Sequence, residues 1–180
     1  MGGFGRNIMG HKLQERFEVN AKANIEEIVV KLLLDRNLII SMAESCTGGM
    51  IASHIVNVSG ASKVFKQSFV TYCDEAKHTI LGVSWETLNE HTAVSSECAM
   101  MMAKGCKACS GSDIAISVTG YAGPGDSDEE PKGLVYIGCA YRDNVEVRAY
   151  RFDGERIDIR KKAADSALYF VKEIIENKFK

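Results

Sequence analysis

The chain carries almost no excess charge of either sign. Its 24 acidic residues against 22 lysines and arginines leave a formal charge of -2 at pH 7, which excludes the broad basic footprint that holds nucleic acid. A small molecule is the expected partner. No apolar run approaches the roughly 20 residues needed to cross a bilayer, and no apolar h-region with a cleavage site stands at the N-terminus. The expected setting is therefore cytoplasmic. Six cysteines in 180 residues are too few for a disulfide scaffold. Cys106 and Cys109 form a C-x-x-C, but they lie inside a helical pattern with no second cysteine or histidine pair at zinc spacing. They read as core or half-exposed residues, and no metal is expected. No internal repeat or linker interrupts the chain, and 46% apolar with 26% charged residues suits one domain with a full core. Residues 1–20, with three early glycines and no sustained periodicity until Leu13 and Phe17, read as an N-terminal arm or docking segment. Residues 21–180 read as the domain.

The organising stretch runs from Leu38 to Gly49, LIISMAESCTGG. An apolar strand passes there into a hydroxyl-rich and glycine-rich turn, and Met50, Ile51, His54, Ile55 and Val58 then recur at helical spacing. Ser45 falls at the corner. The free N–H groups at the start of such a helix, together with the positive end of its dipole, can hold a phosphate or a developing oxyanion. Gly48 and Gly49 let a ligand approach the backbone closely. Ser45 or Thr47 acting only as a helix cap is the plainer alternative, and other segments have to decide between them.

Before this corner, Asn24 and Glu27 resemble a capping box for a helix with Ile25, Ile28, Val29, Leu32 and Leu33 on its apolar face. Asn37 is expected to end that helix in a left-handed turn. After the corner, Phe65 to Tyr72 reads as a strand, and Asp74 as the cap of a helix closed by Gly82 that carries Lys77 in its first turn. Ser84 and Ser95 cap two more helices, the second with Ala99, Met102, Ala103 and Cys106 as its buried stripe and Gly111 at its end. A strand over 113–119 places Ile114, Ile116 and Val118 opposite Ala115 and Ser117. It runs into the long loop TGYAGPGDSDEEPKG, whose acid run Asp126, Asp128, Glu129 and Glu130 reads as a solvated tip. Two strands joined through Arg142, Asp143 and Asn144 form a hairpin, and residues 157–179 close the chain as a helix. Alternating helices and strands plus one hairpin mean a layered α/β domain with a mixed sheet.

Functional groups then fall at successive strand ends: Ser45 after the first, Tyr72 and Lys77 around the second, Thr119 after the third. Open α/β sheets bind ligands at those ends. A serine nucleophile needs a base, and no histidine lies in these motifs. A lysine stripped of water can be neutral and accept the serine proton, so a Ser-Lys pair is the remaining route. The competing reading is an ordinary surface lysine.

AESCTGG at 43–49, VTYCDEAK at 70–77, LGVSWETLNEHTAVS at 81–95, TGYAGPG at 119–125 and PKGLVYIG at 131–138 closely resemble the CinA C-terminal domain family, the nicotinamide-nucleotide amidases. The likeness runs from about Ile25 to Ile174 with five motifs in the family's order. It implies hydrolysis of the carboxamide of nicotinamide mononucleotide to nicotinate mononucleotide and ammonia, within pyridine nucleotide recycling. It also implies a three-layer α/β/α fold with a mixed, mostly parallel sheet and one antiparallel hairpin, no metal or other cofactor, and a homo-oligomer. Carried over motif by motif, the nucleophile falls on Ser45, the base on Lys77, and the assisting hydroxyls on Tyr72 and Thr119. Backbone N–H groups of Cys46, Thr47, Gly48 and Gly49 are the candidate oxyanion donors. Thr119, Gly120 and Gly123 would shape the nucleotide side, and Arg156 or Arg160 would hold the phosphate. Cys73 stands where serine is frequent in the family, and Lys132 where an apolar residue is frequent, so pocket polarity is expected to differ slightly. The larger family protein also carries an N-terminal domain resembling molybdopterin-binding proteins, which is not expected in this sequence.

Overall fold

The computed structural model describes residues 24–124 and 131–179. The expected arm at 1–20 and the acid run at 126–130 lie outside the described residues. The chain order is α1 (Ile25–Asp35), β1 (Ile40–Glu44), α2 (Met50–Val56), a 3₁₀ turn (Ala61–Lys63), β2 (Phe65–Val70), α3 (Asp74–Leu81), α4 (Trp85–His91) and α5 (Ser96–Ser110). Then follow β3 (Ile114–Gly120), β4 (Leu134–Tyr141), β5 (Asn144–Arg151) and α6 (Arg156–Lys178). The strands form one sheet in the order β2-β1-β3-β4-β5. β1 pairs in parallel with β2 and β3, whereas β4 runs antiparallel to both β3 and β5. Four of the five strands therefore point one way, with β4 reversed.

Side-chain size explains how the layers close on this sheet. The central strands are buried throughout rather than alternately, because helices cover both faces. Their period of two separates large from small residues instead. Ile40, Met42, Ile114, Ile116 and Ile137 join the core under α1, α2 and α6, with Leu33, Ile55, Phe170 and Ile174 among their neighbours. Ala43, Ala115 and Ala140 face the other way, toward Met102, Ala103 and Cys106 of α5. The small residues let α5 come close. Ser117 Oγ donates to Ala99 O at 2.6 Å, and a Cβ on Gly138 would stand 2.7 Å from that carbonyl. Each fully buried Ile or Leu contributes about 1.5–3 kcal/mol to this packing.

Several local expectations change in the folded chain. Asn24 stands at the N-cap of α1, but its side chain accepts no hydrogen bond; its carbonyl takes Glu27 N and Ile28 N instead. The capping box belongs to α6, where Glu155 and Asp158 satisfy each other's backbone N–H. β1 starts at Ile40 rather than Leu38, because Leu38 N closes back on Leu33 O and Ile39 N bonds the Asp113 carboxylate. The hairpin turn is only Arg142-Asp143, since Asn144 already pairs with Tyr141. Asp74 is the first residue of α3, not its cap. Cys73 takes the cap position without a side-chain bond, which leaves the Asp74 carboxylate able to meet Lys77 one turn along the helix. Asn37 (φ 54), Ser84 and Ser95 take their expected places.

Candidate active site

Ser45 leaves the end of β1 with its N–H still in the ladder, donating to Val118 O at 2.9 Å. Glu44, the residue before it, is wholly buried, and its carboxylate turns back under the corner. It accepts Gly49 N at 2.9 Å, Ile51 N at 3.2 Å and Ala52 N at 3.0 Å. This corrects the expectation that the start of the helix stays open for a ligand anion. The positive end of the seven-residue α2 is already neutralised from inside the chain. Gly48 N is also engaged, by Ser45 O at 3.1 Å. Of the four expected oxyanion donors, Cys46 N–H and Thr47 N–H bond no backbone acceptor among the described residues, and Cys46 N–H faces its own sulfur.

Glu44→Ala would strand three backbone donors, and an unsatisfied buried donor costs about 1–3 kcal/mol. Allowing for water entry, the unfolding free energy should fall by about 3 kcal/mol in a denaturant titration. A loss below about 1 kcal/mol would show that the carboxylate is not what holds the turn.

Arg160 grips the same turn from α6. Its Nε donates to Cys46 O and its Nη2 to Thr47 O, each at 2.9 Å. Gly48 sits beneath that guanidinium with φ +58, and a Cβ there would lie 3.2 Å from Nη2. The glycine thus serves turn geometry and the approach of an arginine, rather than the approach of a ligand.

A cleft of about 210 Å³ opens at the strand ends. Its walls bring together Ser45, Cys46, Tyr72, Lys77, Thr119, Gly120 and Arg156 from separate segments, along with Asp74, Tyr121 and the 93–94 connection. Thr47, Gly48, Gly49, Gly123 and Arg160 are not among the lining residues. Thr47 is fully buried, and its hydroxyl has no hydrogen-bond partner among the described residues. Gly120 lines the cleft but is demanded by β4, since a Cβ there would stand 2.7 Å from Leu134 O.

Lys77 is 2% exposed. Its Nζ lies 3.5 Å from Asp74 Oδ1 and makes no hydrogen bond to Ser45 Oγ. Catalytic contacts of that kind often tighten only when substrate is bound. Thr119 donates its one hydroxyl proton to Ala93 O at 2.6 Å, so toward a ligand it can act only as an acceptor. Tyr72 is 60% exposed at the mouth, and its OH accepts Arg156 Nη2 at 2.7 Å. The other amino group of Arg156 donates to Gly123 O. Arg156 therefore spans the mouth between the β2–α3 connection and the 120–124 segment.

The buried thiols nearby, Cys46 and Cys98, are not competing nucleophiles. Burial pushes the Cys46 thiol up to about 11 despite the pull of Arg160, and Cys98 likewise to about 11 despite the pull of Lys77. Both stay protonated at neutral pH, and the thiolate is the reactive form. Among the described residues, no three His, Cys, Asp or Glu side chains cluster as metal ligands. Two polar residues of this region lie within the motifs but were given no part in the site by the sequence, Asp74 and Glu44. Asp74 had a usable signal in its i, i+3 spacing to Lys77. Glu44 had none, because an acid ending a buried strand gives no local sign of its acceptors.

The CinA C-terminal domain profile matches residues 22–175. The chain belongs to that family. The match takes in every cleft residue from Ser45 to Arg156. A CinA-like protein of Kosmotoga olearia is 48% identical over 162 residues, 89% of this chain and 39% of its own length. A CinA-like protein of Dictyoglomus turgidum is 49% identical over 140 residues, 77% of this chain and 34% of its own. The chain thus spans well under half of these longer CinA relatives. Among solved structures, the competence damage-inducible protein A of Klebsiella pneumoniae superposes with a TM-score of 0.83 at 34% identity, covering 87% of this chain and 99% of that one. The competence/damage inducible protein CihA of Agrobacterium tumefaciens gives 0.80 at 37% identity, covering 89% and 100%. The α/β architecture is that of the CinA superfamily. No helix among the described residues is long and apolar enough to cross a membrane.

Proposed function

We propose that the protein is an amidohydrolase that converts nicotinamide mononucleotide to nicotinate mononucleotide and ammonia through Ser45 and Lys77. The observation that carries this reading is a serine at a strand end sharing one cleft with a lysine that is almost wholly buried. Ser45 Oγ attacks the carboxamide carbon as Lys77, in its neutral form, takes the hydroxyl proton. Cys46 N–H, on the cleft wall, is the candidate donor to the oxyanion. Lys77 then passes its proton to the departing ammonia, and a water attacks the resulting ester by the same route. No metal or other cofactor enters these steps. At about 210 Å³ the cleft is below the roughly 300 Å³ at which small-molecule pockets begin. It suits the ring and carboxamide, with ribose and phosphate toward the open mouth.

The deciding experiment measures ammonia release from nicotinamide mononucleotide, nicotinamide riboside, nicotinamide and unrelated small amides. Release from the mononucleotide supports the proposal, and release only from another amide changes the substrate. Binding without release would favour the second reading, a nucleotide-binding or competence-linked protein, and the competence link alone is echoed in the names of the Klebsiella and Agrobacterium proteins.

The phosphate partner proposed is Arg156, because Arg160 is committed to the turn carbonyls while Arg156 lines the mouth with further N–H groups to offer. A charged hydrogen bond contributes about 1.5–3 kcal/mol. The riboside should therefore react about tenfold to hundredfold less efficiently than the mononucleotide, and Arg156→Ala should narrow that gap. An unchanged gap in kcat/KM would remove Arg156 from phosphate binding.

A further inference from the structure

An ammonium formed on buried Lys77 during the reaction needs a counter-charge, and Asp74 stands where it can supply one. The two stand one turn apart on α3, Nζ 3.5 Å from Oδ1, with the lysine side chain 3% exposed and the carboxylate 46%. A buried ammonium without a counter-charge is strongly disfavoured. The other groups around Lys77 do not provide one. From α5 comes Cys98, a thiol that burial keeps protonated. The cleft contributes the hydroxyls of Ser45, Tyr72 and Thr119 and, at its mouth, the cation of Arg156. His78, next on α3, turns its ring to Val83 O and Trp85. Among the described residues, Asp74 is the one anion within ion-pair reach of Lys77.

We infer that Asp74 is a positioning residue that completes a Ser45–Lys77–Asp74 arrangement, orienting the Lys77 amino group and stabilising the ammonium that forms during attack. As the bond from Ser45 Oγ to carbon forms, the O–H bond breaks and its proton moves to Nζ. When the carbon–nitrogen bond breaks, that proton leaves Nζ with ammonia. Asp74 neither gains nor loses a proton in either step. Its role parallels that of the aspartate beside the histidine in a serine-histidine-aspartate triad.

This inference rests on the amidase reading for its kinetic test, but its spectroscopic test does not. In Asp74→Asn, kcat on the alkaline plateau should fall about tenfold with KM nearly unchanged, while the acid limb of the pH–rate profile moves to lower pH by about one unit. Asp74→Glu, which keeps the charge, should leave the limb near its native position. A merely structural role would lower activity without moving the limb. Independently, the ¹³Cε resonance of Lys77, assigned by its absence in Lys77→Arg, should titrate about one pH unit lower in Asp74→Asn than in the native protein. Superimposable profiles and titrations in native protein and Asp74→Asn would overturn the inference while leaving the Ser-Lys mechanism intact. Should the native protein release ammonia from no amide, the amidase reading falls, and the resonance titration still decides whether Asp74 governs Lys77.

Discussion

Ser45→Ala is expected to lower kcat for ammonia release by roughly four orders of magnitude or more, the scale seen when an attacking hydroxyl is deleted. Nucleotide affinity should stay within a few-fold of native. The reasoning is local. Ser45 is held in the sheet through its N–H to Val118 O, and its neighbours are held by Glu44 and Arg160. None of these bonds uses the Ser45 hydroxyl, so its loss leaves the turn, the candidate oxyanion donor and Arg156 in place. Only the attacking atom disappears. The measurement pairs single-turnover ammonia release with a calorimetric Kd for nicotinamide mononucleotide. Near-native turnover would exclude Ser45 as nucleophile, and the protonated thiols of Cys46 and Cys98 offer no ready replacement.

Lys77→Arg should be nearly as damaging, with kcat reduced about a thousandfold or more, because guanidinium stays protonated and cannot accept the serine proton. The variant separates two roles that a lysine in this place could have. As a base it must alternate between amine and ammonium, and the native rate should rise with pH as the amine form accumulates. As a fixed positive charge it would be replaced tolerably by arginine. Lys77 is buried, so the larger side chain also threatens packing. Lys77→Met, close in length and uncharged, controls for that, and both variants should be compared by thermal unfolding before kinetics. Retention of most activity in Lys77→Arg would mean that the proton acceptor lies elsewhere.

The two arginines show best what could and could not be read before folding. They are four residues apart at the start of α6 and therefore on one helix face, and nothing in their neighbourhood distinguishes them. Docking of α6 does. It brings Arg160 against Cys46 and Thr47, more than 110 residues earlier in the chain, and leaves Arg156 at the cleft mouth beside Tyr72. Glu44 gives the same lesson from the other side. A strand ending in glutamate reads as a solvated end, but parallel pairing on both flanks and α2 folding back make its carboxylate the acceptor for a helix start.

The amino-acid sequence by itself determined the order of elements, the caps at Ser84 and Ser95, the left-handed turn at Asn37, and the corner that presents Ser45. It also determined the alternation of large and small residues along β3. These are short-range properties, set by side-chain branching, by period and by the conformations each residue tolerates within one or two turns. Tertiary structure alone decided which backbone donors stay open at the corner, which arginine is committed and which lines the cleft, and that Asp74 and Lys77 meet inside it rather than on a wetted helix face. The physical reason is that a polar group's partner is chosen by desolvation. Once helices cover the sheet, every donor and acceptor trapped between them must be satisfied, and the partners that satisfy them come from whichever distant elements the packing has brought within about 3 Å.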